Sequence, residues 1–201
     1  MRHILLAIVL FGTLSCSTFR NSEGGGTVWF PVSSDLVDSV EVMRIGNGFA
    51  SVFPAEYDAP DQSLQNKRRF TPSPTLLRQV EPYIENQFST AFLESTDNYL
   101  SNKPSYDYPI SEKEKSEYRK SSLRWITELN EKYPNLYRQY IGYYSENGDQ
   151  ILMIQFLDFS EDPNGWKDHF HESWVTGWHG WYYSNIKILI YNVNKFKLSV
   201  H

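Results

Sequence analysis

The stretch Tyr137 to Phe159, YRQYIGYYSENGDQILMIQFLDF, decides the fold. Two runs rich in aromatic and β-branched residues flank Asn147-Gly148, and Asn-Gly between such runs signals a two-residue hairpin turn. Both central residues of that turn need positive φ, which Gly takes freely and Asn more readily than most residues. The turn sets Tyr144 opposite Ile151, Gly142 opposite Met153 and Tyr140 opposite Gln155. One face then gathers Ile141, Tyr143, Leu152, Ile154 and Phe156. The other carries Arg138, Tyr140, Gly142, Tyr144, Ile151, Met153, Gln155 and Leu157. The first is apolar enough for a core. The second is mixed, and is expected to be half-covered or to face a ligand.

Upstream, the pattern changes from strand to helix. Ser73 caps a helix opened by Pro74, and Leu76, Leu77, Val80, Ile84, Phe88, Ala91 and Phe92 recur at helical spacing through Pro82. Ser111 and Glu114 form a capping box for a second helix. Its buried stripe is expected to be Tyr118, Trp125, Ile126, Leu129 and Tyr133, with Pro134 closing it. Before these helices, VWFPV, VEVMRI and FASVF read as short strands, the last two joined by a turn at Gly46-Asn47-Gly48. After the central hairpin, Ile186, Ile188 and Ile190 alternate along one strand and Phe196, Leu198 and Val200 along another. The expected class is α+β: an antiparallel sheet of about four C-terminal strands packed against two helices, with short N-terminal strands.

Residues 1–15 read as a secretory signal, with Arg2 and His3 ahead of the apolar run Ile4 to Phe11. Cys16 follows and is the chain's one cysteine, so it has no intramolecular disulfide partner. Thr13-Leu14-Ser15-Cys16 resembles a bacterial lipoprotein processing site, with Leu one position later than those sites usually carry it. Residues 16–27, polar and containing Gly24-Gly25-Gly26, read as a lipidated cysteine and a flexible tether to a single domain over 28–201. Without Arg2 the balance is 18 basic against 24 acidic residues. An acidic chain with no basic cluster excludes nucleic acid as the expected partner. The expected address is the cell envelope, anchored by lipid to the outer membrane of a Gram-negative bacterium.

From FTPSP at Phe70, through YRQYIGY and ENGDQILMIQFLDF, to NVNKFKLSV at the C-terminus, the chain resembles a family of small uncharacterised Bacteroidota lipoproteins. Family members usually carry a glycine pair before the third of these strands, whereas here Trp178-His179 separates Gly177 from Gly180. Their last strand also usually runs a few residues beyond the position of His201. The resemblance implies neither an activity nor a cofactor.

Two clusters carry candidate chemistry. In a strand, His169 and His171 would point the same way, and with His179, Asp168 or Glu172 as a third ligand they are candidate metal ligands. Trp166, Trp174, Trp178, Trp181, Tyr182 and Tyr183 crowd one short run. These rings either roof the sheet or form a recognition surface, since aromatic faces suit sugar rings and protein partners. Trp178, between Gly177 and His179-Gly180, is the ring expected to be exposed, with Trp181, Tyr140, Tyr144 and Arg138 as further ligand-binding candidates. Arg138 either stacks on a neighbouring ring or grips an anion. The leading expectation is a non-enzymatic binding module, without a cofactor, for an envelope glycan or protein. The alternatives are a metal-dependent enzyme using His169 and His171, or a structural component of the envelope. Cells fed labelled palmitate should incorporate it into the wild-type chain and not into Cys16→Ser; equal labelling of both ends the lipoprotein reading.

Overall fold

The computed structural model describes residues 28–30, 40–102, 110–163, 165–177 and 180–201. The segments read from sequence as a signal and a tether, with Cys16, Trp178 and His179, lie outside the described residues. One mixed sheet organises the rest. Strands β1 (Val28–Phe30), β2 (Val40–Ile45) and β3 (Gly48–Val52) form a meander on one side. Strands β5 (Tyr137–Tyr144), β6 (Gln150–Leu157), β7 (Ile186–Asn192) and β8 (Lys197–Val200) form a second, and the short β4 (Arg69–Phe70) pairs with β5 beyond the end of β3. The N-terminal strands are therefore part of the same sheet as the C-terminal four.

The join is parallel: Ala50, Ser51 and Val52 of β3 lie beside Arg138, Gln139 and Tyr140 of β5. Parallel neighbours require a long crossover. Helices α1 (Pro74–Asn102) and α2 (Glu112–Lys132) lie within it, and both pack on one face of the sheet. Ser73 caps α1 through Leu76 N–H, and Ser111 and Glu114 close the expected box on α2. From α1, Leu77, Ile84 and Phe88 meet Tyr140, Leu152, Ile154 and Phe156 of the sheet, joined by Ile126 and Leu129 of α2. No helix of the described residues is long and apolar enough to cross a membrane.

The central hairpin forms, with its register displaced by one residue from the expected pairing. Tyr144 lies opposite Gln150, Gly142 opposite Leu152 and Tyr140 opposite Ile154. The loop is longer than a two-residue turn: Gly148 N–H donates to Ser145 O at 3.0 Å, and Ser145 N–H to Asp149 O at 2.9 Å. Gly148 takes φ +84°, while Asn147 stays out of the left-handed region. This is a three-residue loop with the glycine in the bulge position. A one-residue slip turns every side chain of one strand to the other face. Arg138 and Tyr140 therefore point at the helices beside Ile154 and Phe156, while Ile141 points away beside Met153 and Leu157. Gly142 remains necessary, because a Cβ there would lie 2.5 Å from the Phe70 carbonyl on β4.

The second face is no less dry. Val40, Val42, Phe53, Ile141, Met153 and Leu157 form a core with Phe170, Trp174 and Val175. Most of β5 and β6 is thus buried on both faces, which explains why their sequences read as nearly continuous apolar runs. Gly148→Ala should cost about 1 kcal/mol or more, since Ala is strained at positive φ. Asn147→Ala should stay within about 0.5 kcal/mol. Denaturant melts that show equal losses would restore the two-residue turn.

Candidate functional site

Two helical stretches carry one spacing. Phe92-Leu-Glu-Ser95-Thr96-Asp-Asn-Tyr99 lies on α1, and Tyr118-Arg-Lys-Ser121-Ser122-Leu-Arg-Trp125 on α2. Each has aromatic residues at i and i+7 and hydroxyls at i+3 and i+4, positions that share one face of a helix. The helices meet with the patterns reversed. Phe92 contacts Trp125 edge-on at 5.2 Å between centroids, and Tyr99 contacts Tyr118 at 5.6 Å. Ser95, Thr96, Ser121 and Ser122 lie between these pairs, and together the eight residues line a groove of about 550 Å³. Thr127, nearby on α2, turns its hydroxyl back onto the Leu123 carbonyl at 2.9 Å. The four groove hydroxyls make no such bond among the described residues.

The groove exists because the helices outrun the sheet. At 1.5 Å per residue, the 29 residues of α1 span about 43 Å, against about 27 Å for the 8 residues of β5. Beyond Phe92 the one described side chain of α1 that is fully covered is Leu100. Tyr118 and Trp125 were expected in the buried stripe of α2, and are instead 49 % and 37 % exposed. Only the C-terminal half of α2, with Ile126 and Leu129, reaches the core. Beside the groove, Arg119 holds Asp97 through Nη2 at 2.6 Å and Nε at 2.9 Å. Nearer the sheet, Ser89 donates to Asn130 Oδ1 at 3.0 Å. The walls are thus fixed to each other at two points.

Part of the aromatic stretch roofs the sheet, one of the two readings its sequence offered. Phe170 and Trp174 are buried, and the backbone around them is tied to the sheet by side chains. Gln139 Nε2 donates to the carbonyls of Phe170 and Ser173, and its Oε1 accepts from Val175 N–H at 2.9 Å. Gln155 donates to Val175 O at 2.8 Å, and Tyr57 OH accepts from Trp174 N–H. Trp181 is half-buried, stacks on Phe159 at 5.6 Å and donates through its indole N–H to Glu161 O. Tyr144 is half-buried under Arg68, whose guanidinium lies 3.9 Å from the ring centroid.

His169 and His171 do not share a strand. His169 ends the short helix α3 (Trp166–His169), exposed, with Nδ1 2.9 Å from Glu172 Oε1. That contact raises its pKa, while burial lowers that of His171. Helical and turn backbone removes the alternation that would have aimed both rings one way. Among the described residues no group of three or more His, Cys, Asp or Glu side chains is placed to hold a metal. Comparison with family models, curated proteins and solved structures gives no match.

Arg138 and Tyr140, expected on a half-open face, lie sealed beneath α1 at 1 % and 0 % exposure. The anion that Arg138 meets is the protein's own. Glu81 of α1 lies 3.1 Å from Arg138 Nε and accepts from both Tyr140 OH and Tyr133 OH. Arg138 also sits over the Tyr133 ring at 4.7 Å and donates through Nη1 to Leu136 O at 2.6 Å. Burial pulls the guanidinium pKa down, but the carboxylate and phenols outweigh it and leave it raised. Burial and Glu81 raise both phenols. Glu81→Ala should destabilise by about 3–5 kcal/mol, because it strands a buried cation. Glu81→Leu combined with Arg138→Met should recover much of that loss. Calorimetric unfolding of the single and double variants checks both.

Proposed function

We propose that the chain is an exported, lipid-anchored, non-enzymatic binding module of the Gram-negative envelope, one of the small Bacteroidota lipoproteins it resembles. The α1–α2 groove is its recognition surface. Support for the address comes from the apolar run ahead of Cys16 and the glycine-bearing tether behind it. Support for binding comes from the groove itself. Among the described residues its lining is rings and hydroxyls, with no carboxylate, imidazole, amine or thiol. Such a surface offers stacking and hydrogen bonds, and lacks the acid–base or nucleophilic pairs that bond-breaking chemistry uses.

The observation that carries this reading is the duplicated aromatic–hydroxyl spacing on two helices that share no other repeat. Partly exposed aromatic residues at the rim of a fixed concavity are the residue types that dominate recognition surfaces. The full-length chain should be retained on isolated envelope polysaccharide or outer-membrane fractions. A Tyr118→Ala, Trp125→Ala double variant with an unchanged melting temperature should lose roughly tenfold or more of that retention. Retention by the double variant equal to wild type would remove the groove from the proposal.

A further inference from the structure

We propose that the cleft between residues 65–68 and the loop of the central hairpin takes a phosphate monoester, and that Glu146 is the internal anion this ligand displaces. Residues 65–68 form one wall of the cleft, about 470 Å³ in volume, and Tyr144, Ser145 and Glu146 most of the other. It shares no residue with the α1–α2 groove.

The first wall supplies two adjacent cations. The chain turns at Asn66, φ +63°, in a left-handed conformation that Asn accepts more readily than most residues. Lys67 and Arg68 follow, and both line the cleft. The Arg68 guanidinium rests on the Tyr144 ring at 3.9 Å, and that ring packs in turn against Phe70 at 5.1 Å. Tyr144 N–H donates to the Arg68 carbonyl at 2.9 Å, so the cation's backbone is tied to the strand that carries its platform. Among the described residues no carboxylate forms an ion pair with Arg68. A stacked guanidinium keeps its N–H edge for an oxyanion. A group set before binding also loses less freedom on binding.

Lys67 has a partner, but a replaceable one. Its ammonium lies 3.3 Å from Glu146, whose side chain is 90 % exposed in the hairpin loop, against 31 % for Lys67. So exposed a pair contributes little, and an anion of higher charge displaces the carboxylate from the better-held lysine. Charge then selects the ligand. A phosphate monoester carries about 1.5–2 negative charges at pH 7, which matches two cations, whereas a carboxylate carries one. Ser145 adds a donor: its Oγ accepts from Asp149 N–H at 3.0 Å, which leaves its own hydrogen for the ligand. A lipid headgroup and a soluble ester both present such a phosphate.

Titration calorimetry on the full-length chain, in a phosphate-free detergent buffer at neutral pH, tests the proposal. Glycerol 3-phosphate is the soluble monoester and dihexanoyl phosphatidic acid the lipid one; acetate and dihexanoyl phosphatidylcholine are the controls. At least one monoester should bind, roughly tenfold more tightly than either control. Equal binding of the two assigns the phosphate group itself as the ligand, and binding of the lipid alone assigns a membrane headgroup. Arg68→Gln should weaken the binding roughly tenfold and Lys67→Gln should weaken it as well, both at an unchanged melting temperature. Glu146→Gln should tighten it, because the competing anion is gone. The Tyr118→Ala, Trp125→Ala double variant should bind the phosphate as the wild type does. Binding by neither monoester overturns the proposal, as does binding that Arg68→Gln leaves unchanged or that Glu146→Gln fails to tighten.

Discussion

Glu81 sits in the helix layer and has its charge partner in the sheet. Its carboxylate is the point where α1 is registered on β5, because Arg138 cannot be left alone in a dry interior. Two phenols complete the arrangement, one from β5 and one from the turn after α2. Apolar contacts between a helix and a sheet tolerate sliding by a fraction of a turn. A guanidinium, a carboxylate and two hydroxyls do not, since each displaced polar atom would lose a partner. The cost of burying the pair is offset by apolar packing around it, in which Phe88, Phe156 and Tyr133 lie within 4.8–5.7 Å of one another.

That registration reaches the groove. Phe92 lies eleven residues beyond Glu81, about three full turns, so both point from the same side of α1. Setting Glu81 on Arg138 fixes which stripe of α1 continues past the sheet. The stripe is apolar while strands lie beneath it, at Leu77, Ile84 and Phe88, and turns to Ser95, Thr96 and Tyr99 where they end. The side chains change character where the underlying layer stops. A groove on a rigid helix pair is held more firmly than one on loops.

Much of the scaffold was legible in local chemistry. Ser73-Pro74 and the Ser111–Glu114 box start their helices where the residues say, because capping depends on neighbours a few positions apart. The strands beside Gly46 and Gly148 are legible for the same reason. The hairpin register was not, because Glu146-Asn147-Gly148 satisfies a three-residue loop as readily as Asn147-Gly148 satisfies a two-residue one. The choice falls to the two cores, which place Tyr140 under Glu81 and Ile141 against Met153. The parallel join of β3 to β5 had no local sign either, since parallel pairing is set by the whole crossover.

Tyr118 and Trp125 were expected in a buried stripe because periodicity reports which side chains share a face, and says nothing of what that face meets. Trp125 precedes Ile126 by one residue, about 100° round the helix, and this turn leaves it 37 % exposed while Ile126 is buried. In the aromatic stretch, which the sequence left open between a roof on the sheet and a recognition surface, Phe170 and Trp174 are core, and Gln139 and Gln155 bind the backbone from Phe170 to Val175. Burying an amide is favourable only where its donors and acceptors are used. Gln139 donates to two carbonyls and accepts from one N–H. A glutamine on a twice-covered strand therefore marks where irregular chain must lie close to a sheet. The hydroxyl pairs between aromatic residues on α1 and α2 mark the opposite case, faces that lie past the strands and meet only each other among the described residues.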